Sequence, residues 1–364
     1  MASLLAATLL ILGSCSHKTD TPSENQPKPT DSQVKLEDNT PQDTNIEHKD
    51  PKPETVTFID PLTGLENEKD LSGKRPVTVM INNLQEALPQ VGISEAGIVY
   101  EILEEGGITR LLCVYNDYED IPEIGSVRSA RDYYIDIAHA HDALFIHAGG
   151  STYAYADLQN RHTDNIDGLY TNQFYRSQER RKTMSKEHTL MISGEGLSEA
   201  IAAKGYRTTT DKTCPLTFGW NYSKGAEIAN HIEFPFSIGK TSNPYITATF
   251  DYDEASGEYL KGQFNSPHID GDDNSQLSFK NVITLSCPMN VIKGDQYGCI
   301  QVHFTGTGSG TYSVDGTHRE IVWKKSDRSS SYSLYESDGV TPILLAPGKS
   351  YIAIVPLNTS ITLG

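Results

Sequence analysis

Two arginines and a glycine-rich turn are the residues of this chain best suited to hold a ligand. Arg128 and Arg131 stand three apart near the start of a helix-like stretch, a spacing that predicts one shared helix face. Guanidinium groups present planar forks that match carboxylate or phosphate oxygens two at a time. The free amides of a helix N-terminus add partial positive charge in the same region. A strand-like run then ends in His147-Ala148-Gly149-Gly150-Ser151, where two glycines let a backbone approach a ligand closely. In open α/β sheets ligands sit at the carboxyl ends of strands, which is where this turn falls. The expectation is a pocket for an anionic group, with Glu101 and His188 as further candidates. The same residues have a plainer reading. Arg128 and Arg131 pair with Glu101, Glu104, Glu105 or Asp132, the glycines form a turn, and Ser151 caps the next helix.

Other chemistries find weaker support. A nucleophile would be Ser151 or Cys113 with His147 or His188 as base, but the G-x-S-x-G elbow is absent. His147, His162, His188 and Asp164 lack the spacing of a metal motif, so no metal site and no cofactor are expected. Asp270, Asp272 and Asn274 imitate a calcium loop, yet Ser275 stands where glycine is needed and Asn281 where a bidentate Glu belongs. Arg176, Arg180, Arg181 and Lys182 form a basic run that reads as a solvated face.

The elements that must position these residues are legible as alternating patterns. Val77–Ile81, Ile98–Leu103 and Arg110–Tyr115 read as buried strands, the last two split by Gly106-Gly107. Ser129 to His141 places Tyr134, Ile137, Ala138 and His141 on one helical face, and Ala143–His147 is a further strand. Glu195–Lys204 reads as a helix ended by Gly205. From about Tyr245 onward short strands alternate with turns such as Ser256-Gly257, Asp315-Gly316 and Asp338-Gly339. The expected architecture is an α+β (or α/β) domain over 58–235, followed by a mostly β domain over 236–364.

The N-terminus addresses the chain. An uncharged apolar run, Leu4 to Leu12, leads into Leu12-Gly13-Ser14-Cys15. It is shorter than the ~20 apolar residues that span a bilayer. Residues 1–15 therefore resemble a bacterial lipoprotein signal, with Cys15 as the lipidated residue, although no Lys or Arg precedes the run. Residues 16–57 hold six prolines and no aromatic residue, the composition of a disordered linker. As a flexible coil it would reach on the order of 35–40 Å from its anchor.

The net charge of −18 weighs against partners with phosphate backbones, so no nucleic acid is expected. The cysteines that follow Cys15 form no CxxC. Cys113 reads as a core residue, while Cys287 and Cys299 flank a turn and leave a disulfide open.

Several motifs together resemble one family. They are Pro61-Leu62-Thr63-Gly64-Leu65, Ile81-Asn82-Asn83, Glu105-Gly106-Gly107-Ile108-Thr109-Arg110, Gly125-Ser126-Val127-Arg128-Ser129-Ala130-Arg131, His147-Ala148-Gly149-Gly150-Ser151 and Ala346-Pro347-Gly348-Lys349. Their order over nearly the whole body is similar to that of the YerB-like lipoproteins, a domain-of-unknown-function group in Gram-positive bacteria. The resemblance implies a lipoprotein with an α/β-like domain followed by a β domain, and it carries over no catalytic activity. The functional expectation is a lipid-anchored protein outside the cytoplasmic membrane that binds an anionic ligand, a cell-wall glycan or an envelope protein. Two alternatives stand beside it. One is an envelope hydrolase or transferase using Arg128, Arg131 and His147. The other is an assembly factor docking a protein partner.

Overall fold

A computed structural model describes residues 58–237 and 246–364, so Cys15, the apolar leader and the proline-rich linker lie outside the described residues. The first strands of the large sheet are β1 (Val77–Asn82), β2 (Ile98–Leu103) and β3 (Thr109–Tyr115), each buried along its whole length. Runs buried on both faces favour β-branched and aromatic residues without alternation, and these three have that composition. Helix α1 (Asp132–Ala140), β4 (Leu144–His147), α2 (Thr152–Asn160), β5 (Asn165–Asp167) and α3 (Gly194–Lys204) follow. The α-helices among the described residues all precede Gly205, which closes α3 in the left-handed conformation. The fold is mostly β with a few helices, as the α+β-then-β expectation requires.

Four later strands, β6 (Asn281–Cys287), β7 (Gly306–Val314), β8 (Thr317–Lys325) and β9 (Ser350–Pro356), join the same sheet as β1 to β5. Its central order is β8-β7-β6-β9-β2-β3-β1-β4-β5. Strand β9 sits at the middle, parallel to β6 on one side and to β2 on the other, with Ile352 opposite both Ile283 and Tyr100. The boundary placed at residue 235 thus falls inside the strand His231–Phe236, and the sheet continues across it. A smaller antiparallel sheet built on Ile246–Asp253 and Glu258–Gln263 alternates buried and less buried positions. Phe250 packs on Tyr351 of β9 with ring centroids 4.7 Å apart, bringing that sheet onto one face of the large one. Tyr134 of α1 donates to the carbonyls of Ile102 and Arg110, fixing the helix to β2 and β3.

The seam between the two sheets holds a buried ion pair. Lys261 Nζ lies 3.6 Å from Glu101 Oε2, and both side chains are shielded from solvent. Glu101 also accepts from Thr109 at 2.7 Å, Asn83 at 3.0 Å and Tyr351 at 2.6 Å. Such saturation is what keeps a charge tolerable in a dry interior.

One local expectation is corrected, and one question left open is answered. Helix α1 starts at Asp132, not Ser129, because residues 127–130 spend their backbone groups elsewhere, with isolated bridges at Val127 and Ala130. Arg128 N–H donates to Met80 O, Ala148 N–H to Arg128 O, and Ala130 N–H to Gly149 O. Arg131 is itself extended at the N-cap, so Arg128 and Arg131 do not share a helix face. Cys287 and Cys299 are free thiols. The hairpin pairs Met289 with Val302 and Val291 with Ile300, a register that leaves the two cysteines out of step.

Candidate functional site

Residues 127–130 and the turn after β4 run side by side and form the wall of a cavity of about 450 Å³. Arg128, Gly149, Gly150, Tyr155, Arg176 and Glu187 line it. Gly149 has φ +76°, and a Cβ there would come 3.1 Å from Leu169 Cδ1, so both conformation and space call for glycine. Asp167, at the end of β5, shapes the wall from behind. Its Oδ1 accepts from Gly149 N–H and Leu169 N–H, each at 2.9 Å, and its Oδ2 accepts from the Tyr155 hydroxyl at 2.7 Å.

Arg128 is the cation with most capacity left in this cavity. Its Nε is buried with no hydrogen-bond partner among the described residues. Its contacts with Glu187 are long, 3.6 Å to the carboxylate and 3.4 Å to the carbonyl. Burial pulls its pKa below the ordinary arginine value, and the Arg110 charge adds to that. Arg176, across the cavity, donates to Lys186 O at 2.6 Å; burial and the nearby Arg181 lower its pKa as well. Two desolvated guanidiniums in one concave site favour an added negative charge.

The other expected residues fall into two groups. His147 and Ser151 support the cavity from behind. The His147 ring is buried, stacks on Phe145, donates from Nδ1 to Gly149 O at 2.8 Å and places Nε2 3.1 Å from Asn165 Oδ1. Both ring nitrogens are engaged in holding the turn. Ser151 Oγ accepts from Ala154 N–H at 3.1 Å as the N-cap of α2, the plainer of its two readings. His188 stands beside Glu187, but its Nδ1 accepts from Asn82 Nδ2 at 2.8 Å, and burial lowers its pKa.

Arg131 and Glu101 face away from the cavity. Arg131 forms a forked pair with Glu105 and lies 3.7 Å from Glu104, which Arg110 approaches to 3.0 Å. Burial alone would lower the Arg131 pKa, but the two glutamates hold it above its ordinary value. Burial also pushes the Cys113 thiol up, and that residue is enclosed in β3, so it offers no thiolate. Arg176, Glu187, Tyr155 and Asp167 were not among the sequence candidates. In the sequence Arg176 reads only as part of a solvated basic run.

A larger cavity, about 1090 Å³, lies elsewhere, against Pro61, His141, Cys214, Phe218 and Trp220. It holds none of the expected residues.

Comparison with known proteins places the chain. It matches the family described as protein of unknown function DUF3048, with the N-terminal domain over residues 62–207 and the C-terminal domain over 237–352. It is 30% identical over 315 residues to "Putative lipoprotein YerB" of Bacillus subtilis, covering 86% of this chain and 91% of that one. The chain belongs to the DUF3048 family. The crystal structure of YerB from Bacillus subtilis matches it with TM-score 0.73 and 27% identity, over 84% of this chain and 99% of that one. The resemblance read from the motifs is borne out along the body. The cavity over Arg128 lies wholly within the N-terminal DUF3048 segment, while β6 to β8 and the start of β9 fall in the C-terminal one.

Proposed function

We propose that this DUF3048 protein is a lipid-anchored, extracytoplasmic binding module that takes an anionic group in the cleft over Arg128. The carrying observation is Arg128 itself: a partly buried guanidinium in a concave site, with Nε unpartnered and its nearest carboxylate 3.6 Å away. The side chain keeps 19% of its surface exposed, so its terminal nitrogens, held only by the long contacts to Glu187, are the donors that an incoming carboxylate or phosphate oxygen meets. Anchoring through Cys15 is supported by the leader sequence and by the lipoprotein name of the Bacillus subtilis relative. Binding is favoured over catalysis because Ser151, Cys113 and His147 are all engaged in structure.

Two measurements test this reading. Calorimetric titration of the purified chain with inorganic phosphate is expected to give saturable binding that Arg128→Ala abolishes. Binding that survives Arg128→Ala overturns the site. Mass spectrometry of membrane-extracted protein is expected to find an acylated Cys15 at the mature N-terminus, with Cys15→Ser released from the membrane. An intact leader on soluble protein contradicts the anchor.

A further inference from the structure

We infer that the anion held over Arg128 is the acidic substituent of a sugar, so that the cleft receives one acidic pyranose of a glycan strand. This rests on the anion-binding reading of the same site and names its ligand class. Three features of the cleft bear on it.

The first is an apolar rim at the mouth. Leu169 lines the cavity and is half exposed, and the adjoining Tyr170 is 82% exposed. Tyr155 lines the cavity beside Leu169, and Tyr170 follows Leu169 directly in the chain. Aromatic faces left in water beside a polar pocket suit a ligand with both apolar and polar faces. A pyranose, with its C–H face and its ring of hydroxyls, is such a ligand.

The second feature is mixed charge. Arg128 and Arg176 share the cavity with Glu187, and Asp167 stands directly behind its wall. Carboxylates are acceptors only; Asp167 is spent on Gly149, Leu169 and Tyr155, so Glu187 is the one that suits a hydroxyl donor. The carboxylates also repel a densely charged ligand such as a polyphosphate. One negative charge surrounded by hydroxyls satisfies both sets of groups.

The third is direction. The segment after Arg176 carries Arg180, Arg181, Lys182 and Lys186 against Glu179 and Glu187, within a strongly acidic chain. Arg180 is occupied, donating to the carbonyls of Pro89, Ala87 and His188. Arg181 and Lys186 remain exposed, and Lys186, whose carbonyl accepts from Arg176, adjoins the lining residue Glu187 in the chain. The cavity volume of about 450 Å³ is within the range of small-ligand sites.

The experiment titrates the purified chain with three probes: N-acetylmuramic acid, N-acetylglucosamine and inorganic phosphate. The first two share a ring and differ by a lactyl carboxylate. The acidic sugar is expected to bind at least about tenfold more tightly than either of the others. Tyr170→Ala is expected to weaken the acidic sugar about tenfold, narrowing its advantage over phosphate. If phosphate binds through Arg128 but the acidic sugar gains nothing over it, or Tyr170→Ala leaves the ratio unchanged, the sugar inference falls and the anion site stands. Equal binding of the two sugars also overturns it. If no anionic probe binds, both fall together.

Discussion

Two arginines that looked equivalent in sequence should behave oppositely when removed. Arg131→Ala takes the forked partner from Glu105 and one of two cations from the fully buried Glu104, which keeps Arg110 at 3.0 Å. A fully broken buried pair costs about 3–5 kcal/mol; with Arg110 still in place the loss of Arg131 should cost about 2–3 kcal/mol. Arg128 has one ion-pair contact at 3.6 Å, to a half-exposed Glu187, and gains little from it. Its removal should cost about 0–1 kcal/mol. At roughly 2–4 °C per kcal/mol for a body of this size, Arg131→Ala lowers Tm by on the order of 10 °C, and Arg128→Ala by less than about 4 °C. Differential scanning calorimetry reads the first effect and phosphate titration the second. Arg131→Ala is expected to bind phosphate as the parent chain does at temperatures where it is folded. The reasoning is refuted if Arg128→Ala destabilises as much as Arg131→Ala, or if Arg131→Ala abolishes binding without lowering Tm.

Acid should weaken the fold through histidines held neutral. Burial lowers the pKa of His141 to about 3 and of His139 to about 4. Below the ordinary value of about 6.5 the unfolded chain binds more protons than the folded one, so stability rises with pH between these values. His141 alone then accounts for a loss of about 2 kcal/mol between pH 7 and pH 5, visible as a lower urea midpoint, and a pH-independent midpoint contradicts it. Lys261→Met should cost about 3–5 kcal/mol by stranding Glu101, read as a lower urea midpoint, and an unchanged midpoint contradicts it. Gly149→Ala, which forces a side chain into left-handed backbone against Leu169, should destabilise by about 1–2 kcal/mol and weaken phosphate binding. Cys113, Cys214, Cys287 and Cys299 should titrate as free thiols in denatured, unreduced protein; a protected pair would contradict the hairpin register.

The strands were the most legible part of the fold, because residues buried on both faces leave continuous apolar runs. Ile98–Leu103 and Tyr351–Val355 show this plainly, although nothing local in either says that they pair with each other. That pairing is non-local: β9 ends about 250 residues after β2 and still lies beside it. The start of α1 was misread for a related reason. The tyrosines and isoleucines of residues 133–137 have helical periodicity, but the backbone before them is captured by Met80 and Gly149, which periodicity cannot reveal.

Half of the candidate site was legible for chemical reasons. Gly149 and Gly150 mark a close approach by their type, and Arg128 marks an anion by its charge. Arg131 has the same charge and a different fate, because Glu104 and Glu105 fold back onto it from the turn between β2 and β3. Arg176 enters the cavity only through a short antiparallel pairing of Tyr175–Arg176 with Leu190–Met191, invisible in a basic run read by itself.

The central claim is that Arg128 is a ligand-binding group and Arg131 a structural one. Side-chain Nε–H resonances of arginine report on the two separately, so a phosphate titration followed by NMR tests it most directly. The account predicts a saturable shift at Arg128 with Arg131 unmoved. A titration in which Arg128 stays still, or in which Arg131 shifts instead, contradicts it.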